Sequence, residues 1–183
     1  DFRYALVTCL SLSTFMTTLT QVVTFRGLYG ISIKAPAISP TGPCTSVTLT
    51  QCYALQAKIY GFDIGYATYF TFNSCACDGT ATYDTEVAYK INSAYGVVLN
   101  GCGSEGAQRF LKVLGYKGLV INTAFMLSAG GRVTPVDYLI ELQGGQNATI
   151  SGVRVETVAP GGYNYILGST ASSYGSENIT VLD

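Results

Sequence analysis

A chain of 183 residues supplies one domain, or one domain with an arm, and its 48% hydrophobic residues suffice for a core without help from a metal. Only 11% of residues are charged, against roughly 25% in typical soluble domains, and the net charge of -1 includes no basic run. That balance excludes the electrostatic footprint nucleic acid requires, and the absence of histidine excludes Ser-His-Asp and Cys-His catalysis.

The N-terminal segment carries no charge between Arg3 and Arg26. Its nine Thr, Ser and Gln residues from Thr8 to Thr24 make it too polar for lipid, so no membrane span is expected in the mature chain. A helical stripe through Leu12, Phe15, Leu19 and Val22 or Val23 would resemble the polymerising helix of type IV pilins, but the density of Thr and Val favours strand. As strand, Tyr4, Leu6, Leu10, Leu12 and Met16 share a face with Thr8. The apolar phase then slips to Phe15, Leu19, Val23 and Phe25, which requires two strands or a bulge. The segment is either two strands of the domain's own sheet or an arm, residues 1–13, that pairs with a neighbouring subunit.

In the arm form, Tyr4, Leu6, Thr8, Leu10 and Leu12 resemble in spacing the N-terminal donor strand of pilins joined by donor-strand exchange. The resemblance implies an incomplete immunoglobulin-like β-sandwich over 27–183, preceded by an arm and first strand over 1–26. It also implies copies of the chain as partners in an open head-to-tail homopolymer.

Downstream, Gly and Pro separate short runs rich in β-branched and aromatic residues, which predict strands over 28–34, 46–50, 53–60, 64–73, 83–91, 95–100, 118–128, 132–142, 149–158, 163–167 and 178–182. The fold class expected is all-β, an immunoglobulin-like or related β-sandwich with an extended N-terminal strand. Within 66–72, Tyr66, Thr68, Phe70 and Phe72 read as one face. One short helix is a candidate over 106–114, with a strand as its alternative, and no internal repeat stands out.

Six cysteines with no histidine and no Cys-x-x-Cys pair match disulfides better than zinc, and hence an oxidising compartment. The expected framework uses Cys9, Cys44, Cys52, Cys75, Cys77 and Cys102; Cys44 to Cys52 is the easiest local bridge, and Cys9 could lock the arm covalently. A chain starting at Asp1 fits removal of a signal peptide, so an extracellular, cell-surface location is expected.

The sequence 101–106 matches G-x-G-x-x-G, but no acidic residue lies about 20 positions on and no strand–helix alternation surrounds it, so no nucleotide cofactor is expected. No metal or other cofactor is expected either. Asp84 with Glu86, and Asp137 with Glu141, are the carboxylate pairs a hydrolase could use. Asn147 and Asn178 open glycosylation sequons, and fourteen tyrosines could furnish sugar-stacking patches. The leading expectation is therefore a non-enzymatic filament or pilus subunit. A monomeric exported adhesin or carbohydrate-binding sandwich is the alternative, and an exported carboxylate hydrolase the third reading.

Overall fold

The computed structural model describes residues 8–13, 16–34, 44–79, 85–128, 138–157, 165–170 and 176–182. Every described element is a strand, and the fifteen strands hydrogen-bond into a single sheet in which all neighbours are parallel. No described helix is long and apolar enough to cross a membrane.

The sheet winds as a three-faced β-solenoid. The first coil is β1 (Thr8–Ser13), β2 (Thr17–Thr20) and β3 (Val23–Phe25). The second is β4 (Tyr29–Lys34), β5 (Cys44–Thr50) and β6 (Tyr53–Leu55), and the third β7 (Tyr60–Asn73) with β8 (Ala76–Asp78). A single long strand, β9 (Val87–Glu105), bends around the fourth coil; β10 (Arg109–Val113) and β11 (Tyr116–Ser128) form the fifth. Then come β12 (Tyr138–Gln143) with β13 (Gly145–Thr157), and β14 (Tyr165–Thr170) with β15 (Ser176–Leu182). The first face stacks β1, β4, β7, β9, β10, β12 and β14 in that order.

Sharp corners let three-residue strands turn without hairpins. At the corner between the first and second faces, Met16, Ser46, Tyr69, Gly96, Gly118, Asn147 and Asn178 all have positive φ, and the strand registers place them one above another. A second such column runs through Gln21, Gln51, Ser74, Gly101, Thr123 and Gly152. A left-handed non-glycine residue costs roughly 1–2 kcal/mol. Intercoil bonds offset that cost: the corner amides of Met16, Gln21, Gln51 and Ser74 donate to carbonyls of the next coil at 2.8–2.9 Å. Just before the second column, Asn122 donates to Asn100 and Asn100 to Asn73, each at 3.1 Å, while the Ser151 hydroxyl meets the Asn122 carbonyl oxygen at 3.1 Å.

The core is a set of stacked columns pointing into the coil. Ile31, Phe62, Tyr89, Leu111 and Ile140 form one, and Leu49, Phe72, Leu99, Ile121 and Ile150 another. Phe62 lies flat on Tyr89 at 4.9 Å between ring centroids and edge-on to Phe72 at 5.7 Å. The fully buried Tyr89 hydroxyl is satisfied by donating to the Cys75 carbonyl at 2.7 Å, with the Gly103 carbonyl at 3.1 Å.

This architecture corrects the immunoglobulin-like sandwich and, with it, the donor-strand pilin resemblance. A sandwich needs antiparallel neighbours, whereas each strand here lies parallel to its counterpart one coil away. Thr8, Leu10 and Leu12 belong to β1, in register with Tyr29, Ile31 and Ile33 of the same chain, and Leu10 and Leu12 pack on the core. Tyr4 and Leu6 lie outside the described residues. The helix candidate at 106–114 contains the strand β10.

The disulfide expectation is also corrected: Cys44, Cys52, Cys75, Cys77 and Cys102 are buried free thiols, and the Cys9 side chain lies outside the described set. Cys52, Cys75 and Cys102 stack in register just past the second corner, beside the carbonyls of Leu19, Leu49 and Phe72 at 3.4–3.7 Å. The column wants a small apolar group, which is what a thiol supplies. Burial pushes the Cys75 and Cys77 thiols up to about 12, and those of Cys44 and Cys102 to about 11, so none is a reactive thiolate at neutral pH. Alkylation of the folded protein is therefore expected to leave these five unmodified, and alkylation in denaturant to label all five, as read by peptide mass mapping; a Cys52–Cys75 or Cys75–Cys102 crosslinked peptide in unreduced protein would refute the thiol stack.

Candidate ligand-binding face

The outer surface of the first face carries the richest chemistry. Along each of its strands Ile31 and Ile33, or their stacked equivalents, point inward, which turns the residue between them outward. That outward column reads Ser32, Asp63, Lys90, Lys112, Glu141 and Gly168 from coil to coil. In-register stacking brings neighbouring members to roughly 4.8 Å apart along the coil axis.

Two ion-pair groups anchor the column. Lys34 lies beside Gly65 and pairs with Asp63 at 2.5 Å. Arg109 and Lys112 both hold Glu141, at 2.6 and 3.3 Å, and Arg109 Nε also donates to the Tyr138 carbonyl at 3.1 Å. Lys90 stands between the two groups with Asn92 as its hydrogen-bond partner, and among the described residues no carboxylate comes within ion-pair distance of it. It is only 6% exposed. Burial, reinforced by the neighbouring Lys112 and Lys34 and opposed by Asp63 and Glu141, lowers its ammonium to about 8.

Tyrosines edge the charged column on both sides. Tyr29 and Tyr60 stack one coil apart, ring centroids 5.6 Å, at the start of the face. At its far corner Tyr66 and Tyr95 meet at 5.2 Å with 37% and 40% exposure. Beside them Tyr69, 70% exposed, lies along the corner over Gly96, where a Cβ would touch its ring at 3.4 Å. From Tyr60 to Tyr66 the strand spans about 20 Å at roughly 3.3 Å per residue. The result is a rigid band with aromatic margins and a polar centre.

Other predicted positions fall elsewhere. Glu141 sits in the charged column; Asp84 and Asp137 lie outside the described residues, so neither carboxylate pair is seen assembled. Gly101 and Gly106 are corner residues with φ of +57° and +67° around the buried Cys102, a solenoid turn and not a phosphate cradle. The sequon residues Asn147 and Asn178 are exposed and stacked at the first corner, their amides 3.3 Å apart. An apolar cavity of about 520 Å³ among Ile150, Val153, Val155, Leu167 and Val181 has no charged side chain in its wall among the described residues.

On the third face, Asp78 and Glu105 are register neighbours, and the Tyr53 hydroxyl bonds to Asp78. Burial and then the Glu105 charge push the Asp78 carboxyl up to about 6. Sequence reading missed both clusters, because their members are separated by a coil's length in the chain and meet only through stacking.

No protein-family model, no curated protein and no solved structure matches the chain.

The lysine at the centre of the face carries a stability signature. Its folded value near 8 lies below the ordinary 10.5, so between those values the unfolded chain holds the extra proton and stability rises with pH. Below about pH 8 the buried ammonium is destabilising. Lys90→Met is expected to raise Tm at pH 6–7 and to remove part of the rise between pH 8 and 10 seen in thermal melts; unchanged melts would show that the ammonium is solvated.

Proposed function

We propose that the chain is a glycan-binding β-solenoid, which lays a saccharide along its first face. The observation that carries this reading is the exposed cluster of Tyr66, Tyr69 and Tyr95 on a rigid corner. Sugar rings present C–H faces that pack on aromatic rings and hydroxyls that bond to polar tips, and tyrosine offers both surfaces with little entropy to lose. Monomeric proteins do not usually spend three large aromatics on one exposed corner without a partner.

Binding is favoured over cleavage on this face. Asp63 and Glu141 are three strand steps apart, about 14 Å, beyond the roughly 5–9.5 Å that glycosidase carboxyl pairs use, and both are held in ion pairs. Exchange of Tyr66 and Tyr95 for Ala should weaken glycan binding at least about tenfold, while Phe at both positions should retain most of it. A glycan array followed by titration calorimetry reads this, and a double Ala variant that binds like the parent would sink the proposal.

One observation favours a hydrolytic second reading, placed on the third face. Asp78 and Glu105 are register neighbours whose backbones lie a single strand step apart, about 4.8 Å, which lets their carboxyls reach the roughly 5–5.5 Å separation of a retaining pair. Asp78, with its carboxyl raised to about 6, would serve as the general acid in mildly acidic solution, and Glu105 would be the nucleophile. Reducing-end assays on bound glycans decide the matter. Activity lost on Asp78→Asn and on Glu105→Gln supports the reading, and release of no reducing ends by the parent protein ends it.

A further inference from the structure

We infer that the glycan taken by the first face is acidic, with its carboxylate seated against Lys90 and Lys112 at the centre of the charged column. This deepens the glycan-binding proposal and rests on it. Among the described residues, Lys34, Lys90, Arg109 and Lys112 line the column with Asp63 and Glu141, both already engaged, while Glu86 lies towards the margin near Tyr60. The excess positive charge is concentrated at Lys90, whose Nζ has one amide oxygen for three N–H donors among the described residues.

A buried ammonium whose neighbouring carboxylates, Asp63 and Glu141, are already paired with other cations is unfavourable, and supplying a further anion is the direct remedy. Lys112, next to Lys90 in the stack, and Lys34, paired with Asp63 on its other side, keep 26% and 42% of their side-chain surface exposed, so these neighbouring stems are free to shift. The aromatic margins lie about 10 Å to either side along the strand, within reach of the next sugar units of a chain crossing the face. A neutral saccharide would satisfy the tyrosines and leave the lysines as they are; a uronic acid residue satisfies both.

The test compares a hexameric oligogalacturonate, its full methyl ester and neutral cellohexaose by titration calorimetry at 20 and 200 mM salt. The acid is expected to bind at least about tenfold tighter than its ester. Lys90→Met, which keeps the apolar stem, should abolish that preference, and Lys112→Met should reduce it. Arg154→Met on the third face removes the same charge and should leave the preference intact. Equal binding of acid and ester by the parent protein, or an unchanged preference in Lys90→Met, overturns the inference. An acid preference lost equally in Arg154→Met, and screened away at 200 mM salt, also overturns it, because it reports net charge and no seat. If acid and ester bind alike but Tyr66→Ala weakens both, the glycan reading survives without the anionic seat; if none of the three oligomers binds, both fall.

Discussion

In-register parallel stacking governs this molecule. Each residue sits about 4.8 Å above its counterpart one coil earlier, so side chains interact chiefly along columns and only secondarily along the chain. Columns reward members that tolerate their own kind. Asparagine does so by donating its amide to the side-chain oxygen of the next, as Asn122 does to Asn100 and Asn100 to Asn73. Thiols do so because they are small and apolar, as Cys52, Cys75 and Cys102 are. Charges do so poorly: Lys90 and Lys112 remain adjacent like charges, while the column's carboxylates, Asp63 and Glu141, are paired with Lys34 and Arg109 from neighbouring positions.

The same constraint explains what could be read from the chain and what could not. Strand content was legible because Val, Ile, Thr and Tyr runs mark strands in any sheet; the expected 118–128 lies within Tyr116–Ser128, and the expected 178–182 within Ser176–Leu182. Strand partnership was not legible. Alternation within a strand looks the same whether its neighbour runs parallel or antiparallel, and coils of unequal length, about 20–30 residues, leave no fixed period to find.

Left-handed corners hid the rest. Tyr69, with φ of +52°, reverses the alternation of its strand: Tyr66 and Thr68 point out before it, Phe70 and Phe72 point in after it, so the single face expected over 66–72 divides in two. The phase slip seen in the N-terminal segment has the same origin in Met16, with φ of +52°, which separates β1 from β2. Neither residue is the glycine or asparagine that ordinarily announces such a conformation, and the intercoil bond from the Met16 amide to Thr45 makes it tolerable. Six cysteines likewise suggested staples, since composition cannot distinguish a thiol packed in a column from one half of a bridge.

Stacking also determines what kind of ligand such a surface suits. A pocket concentrates groups from distant parts of a chain around a point, whereas a solenoid face repeats them along an axis at a fixed step. Tyr29 above Tyr60, Tyr66 beside Tyr95, and Lys90 beside Lys112 are each a pair produced by that step. A small compact ligand could use only one of these pairs. A chain-like ligand lying along the strands can engage one margin, the charged centre and the other margin together, and linkage converts several weak contacts into one firm association. Rigidity matters to this addition: the face is backed by Phe62, Tyr89 and Leu111, all fully buried, so little conformational freedom remains to be lost when a ligand settles. The charged column is the selective part of the arrangement, because aromatic margins accept any sugar ring, and an ammonium held under 6% exposure distinguishes a ligand that brings an anion from one that does not.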